Sequence, residues 1–457
     1  MMSSARTGRI TAPLLLILVT VAVYAGTGAF ELLFSWDDRL YLIQNDTING
    51  FTFSHLKEAF SDYYVGNYAP LNILSFMVDH LFWGLHPAGY HLENVLFHLA
   101  NGLLFYTLLR RLALSEWQAC AAAWIFLFHP AQVETVAWVS QRKSLLAMFF
   151  FLIALLGYQV YSEQQANRAR CYLLSVVSIA AALLSKSIAV IFPAVLVLYD
   201  LTYDRSGPRS TAQRIRDKIP FIIVAAAVAA LSIISQAQEE GGGRRDYPGG
   251  SPLAAFYTMV PVMLSYIRDG FWPFEFSPYY LIPIRQQPDA VFAAALAALL
   301  LLAVLGAYLY RKARPLAFWY ALFFIALFPV LQFVPLVNLK NDRYLYTPLL
   351  GFAVLVVIGA LQLQKAISLR WQRPYRCAVI TIMLVLPVLA YKQSRFWRND
   401  IALWSRAAAV DPNNSVAWLQ LTKAYTAIHD SDNSVKAFNR YYELRNRYGP
   451  VRGFEKY

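Results

Sequence analysis

The chain has 457 residues, of which 58% are hydrophobic and only 15% charged, with Lys and Arg exceeding Asp and Glu by 13 charges. Soluble domains carry about 25% charged residues, so the deficit excludes an ordinary soluble enzyme and points to a chain folded in a bilayer. The positive balance does not make it a nucleic-acid binder, because the basic residues gather in short loops between apolar runs, where they set membrane orientation.

The first apolar run, TAPLLLILVTVAVYAGTGAF after Arg6 and Arg9, is longer than the 7–15 residues of a signal-peptide core and reads as a retained helix. Apolar segments near 11–33, 92–109, 116–130, 144–160, 171–184, 188–203, 219–236, 289–310, 316–331, 347–364 and 377–391 follow the requirement of about 20 residues per crossing, some of them short. The class is therefore all-α and polytopic, with about 11 transmembrane helices. Segment 251–269 is apolar but ends in Arg268 and Asp269; it is expected to lie along the interface or re-enter. That choice places Arg6/Arg9, Arg110/Arg111, Arg168/Arg170, the 204–218 loop, Arg311/Lys312/Arg314 and Lys365/Arg370/Arg373/Arg376 on one side, the cytoplasmic one. The N-terminus is then inside and the C-terminus outside, periplasmic if the membrane is a bacterial inner membrane.

The outer loops are longer and carry the unusual polar residues. Loop 34–91 opens with Trp36-Asp37-Asp38-Arg39. SHLKEAF within it predicts a short helix capped by Ser54, and APLNILSFMVDHLFW predicts a helix in the interfacial plane, interrupted by Asn72, Asp79 and His80. After residue 391, WSRAAAVDPNNSVAWLQLTKAYTAIHDSDNSVKAFNRYYELRNRYGP predicts a helical hairpin of tetratricopeptide type, with Trp418, Leu421 and Tyr425 in a stripe and Ala437 at the close-packing position. About one and a half repeats cannot stand alone, so the hairpin is expected to lean on the membrane part or on a partner. This divides the chain into a membrane domain, 1–391, and a non-cytoplasmic hairpin, 392–457.

Adjacent carboxylates at the mouth of an apolar bundle are costly unless charge or a base is needed there. Asp37 or Asp38 is the candidate base for an acceptor hydroxyl, with the other as its orienter or as a cation ligand. Arg39 is a candidate partner for one of them. FHPAQVETVAWVSQRKSLL supplies a second acid, Glu134, beside His129, and the cations Arg142 and Lys143 at a helix start, a place suited to an anionic headgroup. His91, Asn94 and His98 share one helix face, as support for the acid site. Arg268 and the Arg343–Tyr344 pair in NLKNDRYLYTPLLGF are candidate phosphate ligands, because a guanidinium matches phosphate oxygens. A divalent cation (Mg or Mn) is compatible with Asp37, Asp38 and Glu134 but is not required. Cys120, Cys171 and Cys377 form neither a CxxC nor a stapling pair, so no disulfide or zinc site is expected. Walker A, GxGxxG and HExxH motifs are absent. A transporter or flippase is the rival reading, but the mid-span positions are nearly all apolar and the two halves show no repeat.

WDD, APLNILSF with GLHPAGYHLENVLFH, HPAQVETVAWVSQRKSLL and NDRYLYTPLLGF, followed by the C-terminal hairpin, resemble in order and spacing the transmembrane-and-tetratricopeptide-repeat family of C-type glycosyltransferases. The resemblance implies a C-type glycosyltransferase fold and an inverting transfer of a sugar from a polyprenyl-phosphate donor to a protein or glycan acceptor. It implies Asp37 and Asp38 as the acidic pair, Glu134 as second-loop acid and Arg343–Tyr344 near the lipid phosphate. The chain departs from the family in having a single hairpin, and in having Ala69-Pro70-Leu71 where an Arg-Pro-Leu run is common.

Overall fold

The computed structural model describes residues 4–163, 167–204, 209–236 and 246–451; part of the basic 204–218 loop and the side chains of Arg6 and Arg9 lie outside the described residues. Among those described the chain is helical, with a lone bridge between Tyr64 and Asn67 as its only β pairing. Each of the eleven apolar segments forms a helix. Eight helical stretches are long and apolar enough to cross a membrane: Thr11–Ala29, Pro87–Arg111, Val139–Ser162, Arg168–Ser185, Thr211–Ser235, Ala290–Lys312, Pro348–Ala366 and Leu369–Trp397. Ser187–Thr202 and Arg314–Val330 are shorter apolar helical stretches, and α5 (Glu116–Phe128) has 13 residues, about 20 Å at 1.5 Å per residue.

α1 (Ser4–Tyr24) leads into the acidic loop. α2 (Phe53–Ser61) is capped by Thr52 and not by Ser54. The Thr52 hydroxyl accepts from the His55 amide while the His55 ring reaches back to the Thr52 amide, and Ser54, already helical, bonds Glu58 at 2.8 Å instead. α3 (Pro70–Trp83) buries Asn72, Ile73, Phe76, Met77 and Asp79 and exposes Leu81 and Phe82. At about 21 Å it is too short to cross the hydrocarbon core. α4 (Pro87–Arg111) starts five residues before the expected 92, because Pro87 suits the first helical position.

A five-residue α6 (Val133–Ala137) lies in the second loop. It leads to α7 (Arg142–Ser162), which packs against α8 (Arg168–Ser185) so closely that a Cβ on Gly157 would stand 2.8 Å from the Cys171 carbonyl. Lys186 then breaks the chain before a 3-10 turn and α9 (Phe192–Thr202). α10 (Thr211–Arg216) and α11 (Ile219–Gln236) follow. Segment 251–269 is one continuous helix, α12 (Pro252–Phe271). α13 (Ala290–Lys312) and α16 (Leu369–Ser394) bury only 11% and 6% of their most apolar stretches, leaving faces that water would penalise and lipid would not. α14 (Arg314–Leu327) packs on α15 (Pro348–Ala366), where Gly351 admits the Trp319 carbonyl.

α17 (Asp400–Val410), α18 (Ser415–Ala427) and α19 (Ser431–Tyr448) are capped by Asn399, Asn414 and Asp430. Ala437 is buried between the last two. The group is bound to the rest: Arg406 donates to the Phe274 and Phe276 carbonyls, and Asn414 to that of Tyr279.

Arg111 at the end of α4 pairs with Glu163 at the end of α7, 2.8 Å apart, so these two ends share a side. The opposite ends of α4 and α7, with the N-terminus of α15, converge where the acidic loop returns to the bundle.

Candidate active site

The two aspartates occupy different environments. Asp38 is 1% exposed. Its carboxylate accepts from the Leu33 amide and the Ser140 amide, both at 3.0 Å, and from the Ser140 hydroxyl. Burial pushes its pKa up from 3.8 to about 6, against the pull of these bonds. Asp38 thus ties the loop that follows α1 to the one between α5 and α7. Asp37 is 27% exposed, and among the described residues its one ion contact is the Lys143 ammonium at 3.9 Å. Arg39 is exposed and forms no ion pair among the described residues.

Glu134 and Arg343 form a buried pair. The Arg343 guanidinium and amide both donate to the Glu134 carboxylate, the amide at 2.8 Å. The guanidinium also lies 5.3 Å from the Trp138 ring centre and 5.5 Å from that of Tyr344. Trp138 stacks between Trp36 and Trp397, so the residue next to Asp37 leans on the ring that supports Arg343.

Arg142 stands apart from its expected role. It is fully buried, donating to Asp79 at 2.9 Å, Glu93 at 3.1 Å, the Asn94 side chain at 2.5 Å and the Tyr90 carbonyl at 2.9 Å. With those bonds satisfied it braces α3, α4 and α7 and has no face for a headgroup. Asn94 completes the brace by donating to the Val136 and Trp138 carbonyls. His91 is buried against Phe30, His98 bonds Tyr346 and the Leu127 carbonyl, and His129 bonds the Gly270 carbonyl and the Ala131 amide. Asn94, His98 and His129 thus hold backbone, whereas neither ring nitrogen of His91 makes a hydrogen bond of ordinary geometry among the described residues. Arg268, more than half exposed, pairs with Asp269, which Lys340 also grips at 2.6 Å. Burial, then the charge of Glu134, holds Asp342 well above the ordinary carboxylate range, and Tyr280 bonds it at 2.5 Å.

Lys143 is buried, with its ammonium 3.1 Å from the Tyr41 hydroxyl. Lys186, at the break between α8 and the 3-10 turn, lies within its electrostatic reach. Its ammonium bonds Ser144 at 2.8 Å and lies within the electrostatic reach of Lys143, Arg343, Glu134 and Asp37. Lys186, Arg343, Ser144 and Thr347 line a narrow cleft whose remaining wall includes Met148, Phe151, Ile188 and Ile191. One end of the cleft, at Arg343, is cationic and the other apolar; burial, then the charges of Lys143 and Arg343, lowers the Lys186 pKa well below the ordinary lysine value. The starts of α7 and α15, with their partial positive charge, stand beside the cationic end.

Asp37, Asp38 and Glu134 do not make a metal set. Asp38 and Glu134 are occupied by donors, and among the described residues no three His, Cys, Asp or Glu side chains converge as ligands.

No family model matches the chain. It is 24% identical over 426 residues to Protein O-mannosyl-transferase Tmtc3 of Drosophila melanogaster, covering 76% of this chain and 45% of that protein. It is 23% identical over 439 residues to Protein O-mannosyl-transferase F38B6.6 of Caenorhabditis elegans, covering 90% and 59%. A shorter stretch of 106 residues is 37% identical to human Protein O-mannosyl-transferase TMTC4, covering 20% and 14%. These three curated relatives are all named protein O-mannosyl-transferases, and the chain spans less than two-thirds of their length. Among solved structures, ArnT from Cupriavidus metallidurans bound to undecaprenyl phosphate aligns over 94% of this chain and 75% of its own, at 14% identity and a TM-score of 0.43. The Archaeoglobus fulgidus oligosaccharyltransferase aligns over 94% and 58%, at 15% identity and 0.45.

Proposed function

We propose that the chain is an inverting C-type glycosyltransferase that moves a sugar from a polyprenyl-phosphate donor to an acceptor hydroxyl at the outer face of a membrane. The observation that carries the reading is a partly open carboxylate, Asp37, 3.9 Å from the Lys143 ammonium and within the electrostatic reach of Lys186 and Arg343, which line an apolar cleft. The names of the curated relatives favour mannose as the sugar and a protein Ser or Thr as the acceptor.

In this reading the donor phosphate rests against Lys186 and Arg343 with its prenyl chain along Met148, Phe151 and Ile191. Asp37 takes the proton of the acceptor hydroxyl as its oxygen attacks the anomeric carbon. The bond from that carbon to the phosphate oxygen breaks on the opposite face, its electron pair leaving with the polyprenyl phosphate. The cations and two helix N-termini stabilise that anion. Attack and departure on opposite faces invert the anomeric carbon. Asp38 and the Glu134–Arg343 pair fix the two outer loops. The basic helix ends opposite the site favour a cytoplasmic N-terminus and an outer C-terminus.

The test is sugar release from a panel of radiolabelled polyprenyl-phosphate sugars by the purified protein in lipid nanodiscs, with Ser/Thr peptides as acceptors. Transfer with inversion from at least one donor is expected. Failure to release sugar from any of them refutes the reading.

A further inference from the structure

The mechanism uses Asp37 but does not explain what aims it. Loop 30–38 has little regular structure, and its two ends are held differently. At Asp38 it is tied to Ser140 of the second loop. Two residues before Asp37 it is tied to the far end of the chain. The Asp400 carboxylate, at the start of α17, accepts from the Phe34 amide at 3.1 Å, the Ser35 amide at 3.3 Å and the Ser35 hydroxyl. Trp404, one turn further along α17, donates its indole N–H to the same hydroxyl at 2.6 Å and meets Trp36 edge to face at 5.2 Å between ring centres. The Glu31 amide donates to the Arg398 carbonyl at 2.9 Å.

Asp400 could have served its own helix as an ordinary first-turn acid, but that role does not require these contacts. Asn399 already caps α17 through the Ala402 amide. The Asp400 carboxylate is instead spent across 365 residues of sequence on the turn that carries Trp36 and Asp37. Burial raises its pKa above the ordinary carboxylate range, while the Ser35 and Phe34 donors pull it down. A carboxylate bearing several backbone and hydroxyl donors fixes a turn more firmly than a neutral acceptor does.

We propose that Asp400 is the positioning residue for Asp37, so that the first helix of the C-terminal hairpin forms one wall of the catalytic site. This rests on the reading of Asp37 as the base. Asp400 touches no reacting atom. It holds Ser35 and, through Trp404 and Trp36, the pitch of the loop, while the donor phosphate depends on Lys186 and Arg343 from other elements.

The experiment compares wild type, Asp37→Asn, Asp400→Ala, Asp400→Asn and Trp404→Phe in the full chain, reading kcat, donor KM and thermal unfolding. Displacing a reacting group by about 1 Å costs on the order of 100-fold in rate. Asp400→Ala is expected to lower kcat about that much with donor KM changed less than three-fold. Asp400→Asn, which keeps an acceptor for the loop amides, is expected to recover most of the lost rate. Trp404→Phe, which keeps the ring and drops the donor, is expected to lose about ten-fold in kcat.

If Asp37→Asn abolishes turnover while Asp400→Ala and Trp404→Phe match wild type, the positioning role is wrong and the base assignment stands. If Asp400→Ala unfolds, or raises donor KM as much as it lowers kcat, with Asp400→Asn giving no rescue, the residue is structural and the proposal is overturned. If Asp37→Asn turns over like wild type, both ideas fall together.

Discussion

Replacing Asp37 by Asn separates chemistry from folding because the side chain is so lightly held. It is 27% exposed and its ion contact, at 3.9 Å, is long. Ion pairs of that kind contribute about 0–1 kcal/mol, so the melting temperature is expected to move by only a few degrees. Loss of a general base lowers the rate about 10²- to 10⁴-fold. Asp38→Ala is the contrasting change. It orphans the Leu33 amide, the Ser140 amide and the Ser140 hydroxyl, each worth about 1–3 kcal/mol when buried without a partner. Against this, the rise of the Asp38 pKa from 3.8 to about 6 means that the ionised form carries a burial penalty of roughly 3 kcal/mol, which alanine removes. The three orphaned donors together cost about 3–9 kcal/mol, so a net loss of roughly 0–6 kcal/mol remains at neutral pH.

The balance depends on pH with a definite sign. A carboxyl whose folded pKa is raised is stabilising while protonated; the contribution is complete below the unfolded value near 4 and is lost as pH rises through about 6. Asp38→Ala therefore destabilises more at pH 4 than at pH 7, by about 2 kcal/mol. Sugar release at pH 7, with chemical denaturation at both pH values, reads each quantity. The assignment fails if Asp37→Asn keeps more than a tenth of wild-type turnover while a well-folded Asp38→Ala loses it.

Arg142→Leu leaves Asp79 buried without its cation and is expected to cost about 3–5 kcal/mol of stability; thermal unfolding within two degrees of wild type would contradict the brace described for Arg142. Lys186→Met keeps the length of the side chain and removes one charge from the cleft. A charge-assisted bond to phosphate is worth about 1.5–3 kcal/mol, so donor KM should rise roughly 10- to 100-fold with a smaller effect on kcat, and an unchanged KM would place the phosphate elsewhere.

The helical architecture was legible because hydropathy acts over 20-residue windows, and each of the eleven apolar segments forms a helix. Local chemistry was less legible. Ser54 seemed the obvious cap of α2, but Thr52 takes the position because His55 can answer it. Arg142 had the charge and the helix-start location of a phosphate ligand, yet Asp79, 63 residues away, claims it. Lys186 carried a usable signal, a single cation between two apolar segments, but its meaning depended on Lys143, Arg343 and Asp37 arriving from three other elements. Asp400 carried none, since a first-turn aspartate is ordinary and its partners lie at the other end of the sequence.

A charge removed from water must be matched by partners, and a charge with every bond matched has nothing left for a ligand. That rule sorts the outer polar residues of this chain. Arg142, Asp38 and Glu134 are saturated and hold the loops in register. Among the described residues Lys143 makes one hydrogen bond and one long ion contact, and Lys186 bonds two neutral side chains, the second at 3.5 Å. Arg343 spends one side of its guanidinium on Glu134 and turns toward the cleft. The groups with capacity to spare are those around the cleft mouth, and Asp37 is the carboxylate among them. An anion entering there would complete bonds the protein leaves open, whereas an anion at Arg142 would first have to break four. Among these buried and half-buried charges the residues proposed for binding and catalysis are the less satisfied ones, and the saturated charges around them are the scaffold that holds the loops.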